Sequence, residues 1–261
     1  MKSINKVKCD KVEELYNNGL GVKAIANKVK IHRGTVSHIL QRKGIWLKEK
    51  RRPFKNLYNI KFFNTYTKES CYWAGFILAD GNVRSNVAKL QIALGKKDTN
   101  HLVKFSKAIK FSGKLYPDRE CMRIIVSGKW LIDDLQDNYE IGPNKTFAAK
   151  ISNKIPDKYI SHFVRGYFDG DGSLTKSKFA TMANINITGN IYTVSKIIEV
   201  IEDKLNIKKS AICKSKKSFQ TSYYGKKARV ILDWMYKGSR KNMRLDRKYD
   251  LYKKYKKEKT L

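Results

Sequence analysis

The sequence predicts an α+β protein, with two pseudo-twofold halves behind a small all-α domain. Each half is expected to run helix, two strands, helix, two strands, helix. Three observations carry this. First, a nine-residue pattern occurs twice, WAGFILADG at 73–81 and VRGYFDGDG at 164–172, which puts Asp80 and Asp171 at the same place in each copy. Second, each copy is followed by residues that alternate with the period of a half-buried strand. Leu90, Ile92 and Leu94 alternate with Lys89, Gln91 and Ala93; Ile185 and Ile187 alternate with Asn184, Asn186 and Thr188. Third, Val12, Leu15, Val22, Ile25, Ala26, Val29, Val36, Ile39 and Leu40 recur at helical intervals ahead of both copies.

Composition bounds the function. The 261 residues hold 56 Lys+Arg against 23 Asp+Glu, a net charge of +33. Such an excess repels itself and is best compensated by a polyanion that releases counterions on binding. The longest apolar stretch, Trp73 to Ala79, is far below a membrane-spanning length, and MKSINKVKCDK has no apolar core for a secretory signal. An intracellular protein in a cytoplasm, nucleoid or organelle matrix is expected, without a membrane partner. Cys9, Cys71, Cys121 and Cys213 are widely spaced with no CxxC, so they read as reduced, mostly buried thiols. The four histidines do not join them at zinc spacing.

Residues 1–46 predict three helices, about 10–18, 22–28 and 33–42, with Lys30-Ile31 at the turn between the last two. The stretch KVEELYNNGLGVKAIANKVKIHRGTVSHILQRKGI resembles the helix-turn-helix of site-specific recombinases and transposase-like proteins, with Lys30 where glycine is usual. The resemblance implies a third helix in the DNA major groove, offering Arg33, Thr35, Ser37, His38, Gln41 and Arg42 to bases and phosphates. Residues 47–66, with KEKRRPFKNLYN, read as a basic linker. The halves then occupy 67–155 and 156–261. HLVKFSKAIKF and YTVSKIIEVIEDKL supply the middle helices, RIIVSG and QTSYYG end the second strand pairs, and KWLIDDLQ and ARVILDWMY supply the last helices.

On a helix, Gly75 and Ala79 share one face, as do Gly166 and Gly170, so the two motif helices are expected to pack closely there. Gly81 and Gly172 are expected to end the helices in the left-handed conformation. Asp80 and Asp171 then stand at neighbouring helix C-termini, where the helix dipole and mutual repulsion both disfavour carboxylates. A divalent cation bound by both acids and nearby carbonyls resolves the conflict. Asp169-Gly-Asp-Gly-Ser does not make an EF-hand, because Leu174 stands where glycine is required and Ala180 where the bidentate Glu belongs.

WAGFILADG and VRGYFDGDG resemble the paired motifs of single-chain LAGLIDADG homing endonucleases. The resemblance covers about 67–261. It implies two αββαββα halves with saddle-shaped antiparallel sheets over the major groove, and a metal-dependent double-strand cut in a long target with short 3′ overhangs. It maps the metal-binding acids onto Asp80 and Asp171 and the carbonyl ligands onto Ala79 and Gly170, with Mg²⁺ or Mn²⁺ as cofactor. Basic groups around the attacking water map onto Lys96 and Lys145, and in the second half onto the Arg240–Lys241–Arg244 cluster. Trp73 and Val164 replace the leading leucine, Arg165 replaces a small residue, and Leu78 replaces the first motif's earlier acid.

Residues 204–229 hold nine Lys/Arg and no acid, interleaved with Phe219, Tyr223 and Tyr224, and KYDLYKKYKKEKTL adds a further basic run. Together with Lys89, Gln91, Asn184 and Asn186 on strand faces, this describes a sheet that reads duplex DNA. The expected agent is a monomeric endonuclease of a mobile element. Two relatives on the same fold compete with it: a catalytically silent transcription regulator, and a maturase that binds host intron RNA. No intein splice-junction residues are evident at either end.

Overall fold

The computed structural model of the chain describes residues 6–18, 20–43, 56, 58–143, 150–176, 183–215 and 218–257. The chain divides into two compact units, residues 1–55 and 56–261.

The first unit contains α1 (Lys6–Asn17), α2 (Val22–Val29) and α3 (Arg33–Arg42). The apolar positions read from the sequence close its core, with Val12, Ile25, Val36 and Leu40 fully buried. α1 begins one turn before the expected residue 10, because its first turn carries no apolar face to mark it. Lys30 holds the left-handed turn after α2 (φ 54°, ψ 50°) and donates its N–H to the Ala26 carbonyl. A non-glycine residue there costs about 1 kcal/mol, which the packing of α2 on α3 offsets. Lys43 ties α3 back to α1 through Asp10 and Glu13.

In the second unit the first half runs α4 (Lys68–Asp80), β1 (Gly81–Arg84), β2 (Lys89–Gly95), α5 (Thr99–Ala108), β3 (Tyr116–Asp118), β4 (Cys121–Ser127) and α6 (Lys129–Tyr139). The second half repeats it as α7 (Asp157–Asp171), β5 (Gly172–Lys176), β6 (Ala183–Gly189), α8 (Ile191–Leu205), β7 (Cys213–Ser215), β8 (Ser218–Tyr224) and α9 (Gly225–Tyr236). The strand orders are β1-β2-β4-β3 and β5-β6-β8-β7, antiparallel throughout. Period-two alternation puts Leu90, Ile92, Ile185 and Ile187 into the core and turns the polar set outward. One core joins both halves, and it includes Phe63 from the stretch expected to be linker.

Three expectations need correction. The basic C-terminal run contains a further helix, α10 (Asp246–Lys257), which buries Lys248, Tyr252 and Tyr255. Gly81 and Gly172 are extended, not left-handed (φ −75° and −93°). Each motif helix passes directly into a strand, and the glycine is needed because a side chain would press on the carbonyl of Ile77 or Phe168. Of the four free cysteines, Cys71 is buried, Cys9 and Cys121 are partly buried and Cys213 is exposed.

Candidate active site

Helix α4 starts at a capping box: the Ser70 N–H donates to the Thr67 hydroxyl, and the Thr67 N–H to that of Ser70. Helix α7 follows Pro156. The two helices cross at their glycines. A methyl group on Gly75 would overlap the Phe163 carbonyl, and one on Gly166 would overlap the Tyr72 carbonyl. Tyr72 and Phe163 each stand eight residues before their acid, so the crossing obeys the pseudo-twofold relation.

One turn on, a methyl on Gly170 would overlap the Ala79 methyl and lie 3.1 Å from Asp80 Oδ2. The Asp80 carboxylate is therefore beside the residue that precedes Asp171. Asp80 is half-buried and Asp171 exposed. Burial first, then the charges of Asp171 and Asp80, push the Tyr167 hydroxyl above its usual range. Its hydroxyl donates to the Thr188 carbonyl at 2.8 Å.

The donor chemistry fits a hard divalent cation. Two carboxylates stand at the C-terminal ends of two crossing helices, among backbone carbonyl oxygens, the hard donors such an ion takes. Among the described residues no group of three or more His, Cys, Asp or Glu gathers. Carboxylate and carbonyl oxygens are the donors that Mg²⁺ or Mn²⁺ takes, rather than zinc.

Sequence reasoning missed Lys248. It is buried on α10, and its ammonium donates to the carbonyls of Phe168 (2.5 Å), Asp169 (2.8 Å) and Gly172 (2.6 Å). A cation thus sits at the negative end of α7, beside the acid site. Burial pushes it down to about 8, opposed by the charges of Asp169, Asp80 and Asp171. The signal was the spacing of Leu245, Lys248, Tyr249 and Tyr252, which is helical once the basic residues are read as part of a packed face.

The second motif's earlier acid has a different place. Asp169 is buried, accepting from Tyr72 (2.8 Å), Tyr236 (3.2 Å) and the Leu245 N–H (2.9 Å). Burial raises its pKa. Arg165, also buried, donates to the carbonyls of Met235 (2.6 Å) and Met243 (2.9 Å). Both residues tie α7 to the C-terminal segment, which accounts for an arginine where a small residue is usual.

Lys96 opens a short 3₁₀ turn after β2 and pairs with Glu120 at 3.5 Å. Arg244 stacks on the Tyr249 ring at 3.5 Å and donates to the Ser239 carbonyl. Lys145 and the Gln41 side chain lie outside the described residues. On α3, Arg33, His38 and Arg42 are exposed, while Thr35 and Ser37 are half-buried. Lys89, Gln91, Asn184 and Asn186 all occupy outward strand positions.

A scan against protein-family models gives no match, and a sequence comparison with curated proteins gives none. Among solved structures, the chain is similar to the N-terminal LAGLIDADG domain of DUF199/WhiA, at 15% identity and a TM-score of 0.47 over 70% of this chain and 89% of that one. It is similar to the I-LtrWI LAGLIDADG homing endonuclease bound to target DNA, at 15% identity and 0.47 over 77% and 92%. The I-CpaMI LAGLIDADG meganuclease bound to uncleaved DNA gives 13% and 0.46 over 73% and 90%. The second unit has the two αββαββα halves, joined along α4 and α7, that the motif resemblance implies.

Proposed function

We propose that the protein is a divalent-metal-dependent, site-specific DNA endonuclease. The observation that supports this reading is the backbone-to-backbone crossing of α4 and α7, which brings the Asp80 carboxylate beside the residue that precedes Asp171 at the helix C-termini. Acids at helix C-termini meet the negative end of the helix dipole; Lys248 offsets part of that cost, and a divalent cation would offset more.

Asp80 and Asp171, with the carbonyls of Ala79 and Gly170, would hold the ion. When bound, Mg²⁺ or Mn²⁺ supplies Lewis-acid stabilisation of the charge that develops at the scissile phosphate. The chain's own residues do the rest. The acids orient the site at the pseudo-twofold axis, so that each half addresses one strand of a duplex. Lys96 and Lys145 would place positive charge near the phosphates or order the attacking water. The outward faces of the two sheets would hold the DNA, and Arg33, Thr35, Ser37, His38, Gln41 and Arg42 would extend the contact from the helix-turn-helix.

A supercoiled plasmid carrying the insertion-free version of the gene's own locus tests the reading. Linearisation with Mg²⁺ and none with EDTA is expected. A footprint that persists in EDTA, with no cut in Mg²⁺, contradicts cleavage and favours the regulator. Binding to host intron RNA, with no DNA footprint, favours the maturase.

A further inference from the structure

Strand register makes the outward face of each sheet a three-by-three grid, and the two grids correspond position by position. In the first sheet the rows are Arg84–Lys89–Ser127, Asn82–Gln91–Ile125 and Ala93–Arg123–Tyr116. In the second they are Thr175–Asn184–Tyr224, Ser173–Asn186–Ser222 and Thr188–Gln220–Cys213. The first grid carries three cations. The second carries no charged side chain: Thr175, Asn184 and Gln220 stand where Arg84, Lys89 and Arg123 stand in the first. In a chain of net charge +33, nine uncharged outward positions form a selected surface rather than a sample of the composition.

The uncharged grid is also ordered from within. Asn186 Nδ2 donates to Ser222 Oγ at 3.1 Å and to Gln220 Oε1 at 3.4 Å, and the Thr188 hydroxyl donates to Asn186 Oδ1 at 3.1 Å. These bonds fix two amides side by side on the sheet face. Both Asn186 N–H groups are spent in these bonds, so Asn186 orders the face, and the Gln220 amide it positions offers the donor-and-acceptor edge that pairs with adenine N7 and N6 in the major groove. The first grid has the chemistry of phosphates and guanine: Arg84 and Lys89 are exposed, and Arg123 is braced by Asp118 at 3.2 Å.

We infer that the two sheets divide the work of DNA recognition. The β5-β6-β8 face discriminates sequence, reading A·T pairs through Gln220, which Asn186 holds in place beside Asn184 on the same uncharged face. The β1-β2-β4 face supplies charge-dependent affinity through Arg84, Lys89 and Arg123. The inference rests on the reading of the protein as a DNA-binding enzyme and concerns the same surfaces.

The test is selection of the full chain on a randomised duplex pool in EDTA, followed by salt titrations on the selected duplex. Two triple variants are compared with wild type: Arg84→Gln/Lys89→Gln/Arg123→Gln and Asn184→Ala/Asn186→Ala/Gln220→Ala. The cation variant should flatten the slope of log affinity against log salt by about 2 to 3 while keeping A·T preference in one arm. The amide variant should keep the slope and lose that preference, about tenfold per contacted base pair. The division is overturned if the amide variant flattens the slope as much as the cation variant, or selects the same two arms as wild type. Duplex binding by wild type without sequence preference overturns the division alone. Failure of wild type to bind any duplex overturns the DNA reading with it.

Discussion

Asp169 and Asp171 are two residues apart and have opposite fates. Asp169 accepts three hydrogen bonds inside the core, whereas Asp171 is exposed at the end of α7. The repeated pattern singled out one acid in each copy, because Asp80 and Asp171 align and Asp169 aligns with Leu78. It did not reveal Lys248, whose role depends on a helix 76 residues away in sequence from Gly172. Replacing Lys248 with Met leaves the buried carbonyls of Phe168 and Asp169 without their cation and should cost about 3 kcal/mol, read as a lower denaturant midpoint; an unchanged midpoint contradicts the role given to it. His101 makes a second prediction. It is buried against Tyr72 at 3.0 Å, and burial pushes its pKa from 6.5 down to about 3. Below pH 6.5 the unfolded chain takes up a proton that the native imidazole refuses, so the stability it contributes is present above that pH. It is lost progressively as pH falls toward 3. Denaturant midpoints should fall between pH 7.5 and 5, and His101→Gln should shrink the fall. An equal fall in the variant excludes His101 as its source, leaving His162, which is lowered to about 4 by burial and Arg165.

At the scale of elements, the helices α4 and α7 define the account, and their glycines set how close they come. The spacing of Gly75–Ala79 and Gly166–Gly170 made this contact legible in the sequence, because only a helix puts residues four apart on one face. Gly166→Leu must push the Tyr72 carbonyl away and should destabilise the protein by roughly 3 kcal/mol or more. A crossing that tolerates leucine without loss of thermal stability contradicts the backbone contact. Strands were legible for the same reason of period. The ends of the elements were not. Gly81 and Gly172 looked like left-handed caps, because a helix followed by glycine usually stops and turns. Here the next residue already pairs in a sheet, Gly81 with Ile92 and Gly172 with Ile187, so the chain leaves extended. Helix α10 was hidden by its own lysines, which outnumber the aromatic residues that bury it.

At the scale of the molecule, +33 charge, the helical first unit and two outward sheet faces all suit a long polyanion. Composition alone pointed to a polyanion, whereas the difference in charge between the two outward grids needed the strand register. Removal of residues 1–46 should weaken DNA affinity and shorten the protected stretch while leaving some cleavage; an unchanged footprint removes the helical first unit from the interface. The central claim is that Asp80 and Asp171 form one metal-dependent cutting site. Strand-resolved sequencing of the DNA ends made on the insertion-free locus tests it most directly, with wild type, Asp80→Asn and Asp171→Asn compared in Mg²⁺ and in EDTA. The account predicts one position cut on both strands with a short 3′ overhang, absent in EDTA and abolished or reduced to a nick in either variant. Cuts that persist in both variants, or that ignore EDTA, contradict it.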